Sequence, residues 1–499
     1  MFMTVPFTHI DRLYIGGQWV RPTSGLDEAI VNPATEAVIG IAPVGGKEDA
    51  GAAIAAARHA FDHGPWPLMS MTERAEIMLH MHDALERRLP EIRALITAEA
   101  GAPQGITNLT QSATPLRLMK ATIEMARGIG VETTPVEIMP DPAGGGPDRI
   151  GAATILHEPV GVVTGITAYN FPFFLNLSKV LPALLAGNTM VLKPSPFTPY
   201  AALLFGEIAD EIGLPAGVLN IVTGGLDVGQ MITSDPAVDM ISFTGSDKVG
   251  AAIVAQSAPT LKRTVMELGG KSALIVCADA DVQQAAMMAV VNYTAHAGQG
   301  CALLTRFIVH NAIRVRFVEA MREILASWKV GDPSDPSVMM GPVIRESQRQ
   351  SVERFIEIGR DSGAKLVSGG RRPAALSKGF FLEPTLFDDV DNRSAIAQEE
   401  IFGPVAVVMG FSTEEEAIDL ANDSKYGLSG AVMSKDRAAG FRIAARMRTG
   451  GVALNGGYGG DVSPHMPFGG YKRSGMRREY GSRWLHEYMN EKVIHYPIG

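Results

Sequence analysis

Short apolar runs alternate with amphipathic stretches along most of this chain, and the texture shifts twice. The early region is mainly helical after a short strand pair near residues 13–20. Ser70 and Glu73 form a capping-box pattern, and Ile77, Met81, Leu85 and Leu89 then recur at helical spacing. Gly101 is placed to stop the following helix, because glycine readily takes the left-handed conformation that ends helices. A Pro/Gly cluster at 141–148 reads as a connecting turn. No fixed-period repeat is visible.

From Ile155 the pattern becomes short apolar strands, at 161–166, 189–192, 217–222, 238–243 and 263–267, interleaved with helices over 175–185, 201–212 and from Lys248. Such alternation predicts a parallel sheet flanked by helices, with ligands gathering at the carboxyl ends of the strands. Asn170, Lys193, Gly224 and Ser246 all fall just past strand ends, so they can line one crevice. A second alternating block begins near Ser272, with strands at 306–310 and 405–409 and helices at 313–328 and 414–422. The segment holding Glu267 and Gly269 joins the two blocks. Glu267 and Cys301 are therefore expected near an interface, where small-molecule clefts form.

Composition narrows the class. A chain of 499 residues, 46% apolar and 19% charged, has core enough for two or three domains. Lys and Arg number 44 against 53 Asp and Glu, a net charge of −9 that argues against nucleic acid as a partner. Two cysteines make no disulfide framework, and no Cys-x-x-Cys or His-Cys spacing offers a zinc site, so no metal is expected and a reducing cytoplasm fits. The N-terminus lacks the order of a signal peptide. The longest apolar stretch, 173–187, is interrupted by Lys179 and Pro182 and is too short for a bilayer, so a soluble protein with no membrane partner is expected.

One of the two cysteines stands out. Cys301 follows Gly298-Gln299-Gly300, which leaves its sulfur uncrowded, whereas Cys277 ends an apolar run as an ordinary buried residue does. A free thiol with a pKa near ~8.5 needs a base or a positive field to become a nucleophile. Glu267, in Met-Glu-Leu-Gly-Gly-Lys, is the candidate base. Phe243-Thr244-Gly245-Ser246 is a strand-to-helix turn able to receive a pyrophosphate, although such turns are commonly plain caps and no Gly-x-Gly-x-x-Gly fingerprint is present. Lys193 reads equally as a solvated lysine. Asn170 reads either as an oxyanion donor or as a turn residue before Pro172. Their joint order, Asn170, Lys193, Gly245-Ser246, Glu267, Cys301, is what favours chemistry.

With these motifs the sequence resembles the NAD(P)-dependent aldehyde dehydrogenase superfamily over nearly its whole length. Further matching segments are Ile15 to Trp19, Asn32-Pro33-Ala34-Thr35, Glu399-Glu400-Ile401-Phe402-Gly403-Pro404, Val452 to Asn455 and Pro467 to Gly475. The resemblance implies an α/β fold with a Rossmann-like cofactor domain (1–127 and 150–268), an α/β catalytic domain (269–479) and a small β oligomerisation arm (128–149 and 480–499). A homodimer or homotetramer is implied.

Carried over by position, Cys301 attacks an aldehyde, and Asn170 with the Cys301 N–H holds the thiohemiacetal oxyanion. Hydride passes to nicotinamide, and Glu267 activates the water that hydrolyses the thioester. The implied cofactor residues are Ile166, Thr167, Lys193, Ser195, Gly225, Gly245, Ser246, Val249, Leu268, Glu400 and Phe402. Glu479 matches a carboxylate sometimes proposed as a second proton carrier; a solvated surface position is its plainer reading. Where many NAD-preferring relatives read Lys-Pro-Ser-Glu, this chain has Lys193-Pro194-Ser195-Pro196, which removes the ribose-binding carboxylate and leaves NAD or NADP open.

The substrate pocket implied is mixed and apolar: Phe171, Phe174, Leu175, Ser178, Thr294, Ala302, Tyr458, His465 and Met466. Ser178 stands where a bulky aromatic is frequent, which favours a larger aldehyde. His465 has no sequence neighbour to make it a catalyst. Retention of Glu267 argues against a coenzyme A-acylating reaction, and retention of both groups argues against a non-catalytic scaffold. Ester hydrolysis by Cys301 would proceed without hydride transfer.

Overall fold

Five apolar runs, Val162–Ile166, Thr189–Lys193, Leu219–Ile221, Met240–Thr244 and Arg263–Glu267, are buried almost throughout, as strands covered on both faces must be. In the computed structural model, which describes residues 8–141, 143–457 and 463–498, they form the parallel centre of an eight-stranded sheet. Leu13–Ile15 and Gln18–Val20 close one edge antiparallel, and Gly475–Met476 closes the other against Arg263–Glu267. Strand order runs one way from Val162–Ile166 through Thr189–Lys193 to Leu219–Ile221, then jumps back to Met240–Thr244 on the opposite side. This reversal opens a crevice at the carboxyl ends of Val162–Ile166 and Met240–Thr244.

A second sheet of seven strands places Ser272–Val276 between Leu304–His310 and Ser429–Met433, and all its strands are parallel except Lys365–Ser368. Only four residues separate the end of Arg263–Glu267 in the first sheet from Ser272 in the second, so Glu267 stands at the junction.

Local signals behave as their chemistry requires. The Ser70 hydroxyl accepts from the Glu73 N–H at 3.3 Å while Glu73 accepts from the Ser70 N–H at 2.7 Å. Gly101 ends its helix at φ 69°. The periodic run through Leu89 is in fact two helices, Met71–Arg87 and Leu89–Ala100, because Pro90 has no N–H to continue the ladder.

The region before the cofactor sheet differs from expectation. Arg149–Pro159 does not enter that sheet: it pairs antiparallel with Met489–Ile498 along its length and also takes Glu132–Thr133 and Glu137–Met139. The first strand after it, Val162–Ile166, is the one the alternation from residue 161 predicts for the eight-stranded sheet. Alternating apolar residues look the same in either sheet, so this choice of partner was not written locally. Among the described residues, no helix is long and apolar enough to cross a membrane.

Candidate active site

The Cys301 loop is entered through backbone that most side chains rarely adopt. His296, Ala297 and Gly298 all have positive φ, at 47°, 54° and 73°, immediately before Gln299-Gly300-Cys301. Two of these are not glycine, a form of strain that concentrates at functional sites. A Cβ on Gly298 would lie 2.1 Å from the Gly403 carbonyl oxygen, and one on Gly270 would lie 2.2 Å from that of Cys301. Gly270 of the Glu267 motif therefore allows the Cys301 loop to rest directly on the segment that follows Glu267.

Gln299, fully buried, organises the loop. Its side chain donates to the His296 carbonyl at 3.1 Å and accepts from the Ile344 N–H at 2.9 Å, while its carbonyl accepts from Asn170 Nδ2 at 2.9 Å. Asn170 is itself buried, its carbonyl fixed by Gln111 at 3.2 Å. One amide hydrogen is thus engaged and the second remains for a ligand. On the far side, Ser429 donates to the Ala302 carbonyl at 2.6 Å.

Cys301 is half-buried, and its thiol is pushed up to about 12, first by burial and then by the charges of Glu267 and Glu400. The N–H groups of Ala302 and Cys301 pull the other way, and they are the groups that would favour a thiolate. Glu267 is 2% exposed and neither carboxylate oxygen has a hydrogen-bond partner. Burial, then the charge of Glu479, holds it well above the usual carboxylate range, with Lys179 and Arg478 opposing. A buried acid raised in this way is suited to proton transfer near neutral pH.

Glu479 is not the solvated surface residue that its sequence context favoured. It is 2% exposed and makes a buried ion pair with Lys179. Lys179 had figured only as an interruption in an apolar stretch; a lysine on an otherwise apolar helix was the signal of a buried partner. His465 is exposed. Cys277 is half-buried and raised to about 11, chiefly by burial, an unreactive thiol.

The expected cofactor residues surround the crevice. Gly225 caps Leu226–Ser234, a helix not foreseen, and Ser246 caps Asp247–Ser257 by accepting from the Val249 N–H at 3.3 Å. Two helix N-termini thus face the strand ends, as an anionic ligand requires. Gly245 donates to the Glu267 carbonyl at 3.0 Å, and the Thr167 N–H donates to that of Lys193 at 3.1 Å. Ile166 ends its strand half-buried, Leu268 is buried against Gly250, and Val249 is exposed on the first turn of its helix.

Lys193 is 6% exposed yet meets only the Pro194 carbonyl, at 3.4 Å, and burial lowers it to about 8 against the opposing charge of Asp227. The Thr244 hydroxyl is also buried without a partner. The buried Lys193 amine with its single long bond and the orphaned Thr244 hydroxyl, with the glycine-lined turns, fit a dinucleotide phosphate and ribose. Ser195 is buried and bonds only its own turn, through the Phe197 N–H at 3.3 Å, with no carboxylate supplied at Pro196.

Glu400 reaches the same junction from the second sheet, accepting from the Gly270 N–H at 3.0 Å; burial raises it to about 7. A Cβ on Gly269 would lie 2.2 Å from its Oε2. Phe402, at φ 54°, packs edge-on to Tyr169 with centroids 5.9 Å apart, and Gln348 donates to its carbonyl at 2.8 Å.

Of the expected pocket residues, Phe174 and Ser178 line an apolar pocket together with Met119, Leu177, Tyr480 and Trp484. The helix carrying Met119 had not been foreseen as part of it. Phe171 instead packs on His296 with centroids 5.6 Å apart, and Thr294 is fully buried, donating to the Val290 carbonyl at 2.6 Å. Tyr458 lies outside the described residues.

A family model described as the aldehyde dehydrogenase family matches residues 19–494. The chain belongs to that family. It is 40% identical to a 3-succinoylsemialdehyde-pyridine dehydrogenase of Pseudomonas sp, covering 96% of this chain and 97% of that protein. It is 37% identical to a geranial dehydrogenase of Castellaniella defragrans over 99% of each chain. An aldehyde dehydrogenase of Mycobacterium tuberculosis, solved with NAD+, superposes with a TM-score of 0.91 at 41% identity, covering 97% of both chains. As a member of this family the chain is an aldehyde-oxidising enzyme of the NAD(P)-dependent class.

Proposed function

We propose that the protein oxidises a bulky, largely apolar aldehyde to its carboxylic acid through a covalent Cys301 thioester that water resolves. The observation that carries this reading is the meeting of Cys301, the Asn170 amide and the partnerless carboxylate of Glu267 where the two sheets join. The Cys301 sulfur, on losing its proton, adds to the aldehyde carbon. The Asn170 Nδ2–H and the Cys301 N–H receive the resulting oxyanion. A bound NAD(P)+ would supply the acceptor for the hydride lost from that carbon. Glu267 then takes a proton from water, which displaces the thiolate and releases the acid.

Lys193, Gly225, Gly245 and Ser246 would hold the adenosine and phosphate portion, and Glu400 with Phe402 the part nearest Cys301. The free edge of Met489–Ile498, which exposes Val493 and Ile494, supports pairing between subunits as a dimer or tetramer. The two free cysteines suit the reducing cytoplasm.

Apolar character is favoured by Phe174, Leu177 and Trp484 in the pocket lining, and bulk by relatives named for geranial and a pyridine-bearing semialdehyde. The test is a panel of aldehydes of graded size assayed with NAD and with NADP. One reduced cofactor and one acid should form per turnover, with kcat/KM rising with apolar bulk. Product that needs coenzyme A, or a best substrate with a charged head, would refute the reading. In the same assay Pro196→Glu should raise the NAD over NADP preference about tenfold, the effect of one repulsive contact of roughly 1.4 kcal/mol. An unchanged ratio would assign discrimination elsewhere, with Asp227, whose charge reaches Lys193, the next residue to vary.

Asn170→Ala is expected to lower kcat/KM by ~10²- to 10³-fold with cofactor affinity retained. Equal losses in cofactor affinity and turnover would make Asn170 a scaffold for the Gln299 loop rather than an oxyanion donor.

A further inference from the structure

On the face of the arm sheet away from any role so far, strand pairing brings three metal-ligating side chains together. His157 lies on Arg149–Pro159, two residues beyond Ile155, which pairs with Glu132, and directly opposite Glu491 of Met489–Ile498. Since strand side chains alternate, Glu132, His157 and Glu491 project from the same face. His486 approaches from the short helix Leu485–Tyr488 that precedes the last strand.

His157 Nε2 is 3.0 Å from Glu132 Oε1, and the two imidazoles meet edge to face with centroids 5.0 Å apart. One ligand atom from each of Glu132, His157 and His486 lies within 4.8 Å of the others. The His157 side chain is 5% exposed, and its Nδ1, like that of His486, is buried with no partner.

We propose that Glu132, His157 and His486 form a zinc site that ties the arm strand to the C-terminal turn, separate from the catalytic centre. Two imidazoles and a carboxylate are a donor set that suits zinc, and the fourth position falls to water or to Glu491. The cluster joins segments more than 300 residues apart, so a bound ion acts as a cross-link on the folded chain. By contrast His82, Asp83 and Glu86 cluster on one helix with exposed carboxylates and nothing orphaned, and they carry no such inference.

The test uses the full-length, tag-free chain carrying Cys301→Ala, so that zinc finds no catalytic sulfur. Calorimetric titration with zinc sulfate should give close to one ion per chain, and the melting temperature should rise by about 2–4 °C relative to chelator-treated protein. Magnesium and calcium should do neither, because they take oxygen donors. Adding His157→Gln with His486→Gln should weaken binding by at least ~100-fold. Glu132→Gln, at an exposed position that leaves packing intact, should weaken it less and keep the apo melting temperature. Cobalt(II) should show the visible bands of a nitrogen-bound, low-coordinate site in the parent and not in the double variant. Absence of stoichiometric zinc, or binding that survives all three substitutions, overturns the proposal.

Discussion

Cys301→Ala is expected to abolish aldehyde oxidation, lowering kcat by at least ~10⁴-fold, while dinucleotide affinity stays within about twofold. The substitution removes one sulfur from a loop fixed by other atoms. Gln299 holds it to Asn170 and Ile344, and Ser429 holds the Ala302 carbonyl. The groups proposed to bind the cofactor, Lys193 and the two helix caps, lie on other strands and turns. Tryptophan fluorescence quenching by NAD measures the affinity, and rapid mixing measures the loss of hydride transfer. Turnover near the parental rate would remove the nucleophile, and a matched loss of affinity would show that the loop itself had collapsed.

Glu267→Gln is expected to separate the two halves of the reaction. A first turnover of reduced cofactor should appear at nearly the parental rate, followed by a steady rate lower by ~10²- to 10⁴-fold, because the amide cannot accept a proton from water. The pH dependence carries a sign. Burial and Glu479 raise the Glu267 pKa, so the active carboxylate grows as pH climbs through that raised value, and parental steady turnover should climb with it. The glutamine variant should lose this limb. A burst that vanishes together with the steady rate would place Glu267 in the attack rather than in the hydrolysis.

What the chain disclosed in advance follows from how far apart the interacting groups are. Buried strands announced themselves because each is an apolar run of a few residues covered on both faces. The Glu267 motif was legible because its two glycines are required by contact with Glu400 and the Cys301 carbonyl. Lys179 on an apolar helix signals that a buried partner exists, but its identity was not legible, since Glu479 lies 300 residues away and looks ordinary alone. The same holds for Arg149–Pro159, whose alternation suits either sheet until Met489–Ile498 claims it. Gln299 was visible only as a spacer between glycines, and its four-way bonding depends on Asn170, His296, Ile344 and Pro342. No helical periodicity could have shown that Met119 lines the pocket with Ser178.

The strand that carries the base is completed from the far end of the chain. Gly475–Met476 zips onto Arg263–Glu267, the Leu268 N–H donates to the Ser474 carbonyl at 3.0 Å, and Glu479 supplies the charge that tunes Glu267. During synthesis, the sulfur and its amide donor therefore emerge from the ribosome well before the pieces that finish the hydrolytic half. The edge of the Glu267 strand thus stays open until the last segment of the chain is made and docks, and the same segment brings Trp484 and Tyr488 to the core, so assembly of the site and completion of the fold are one event.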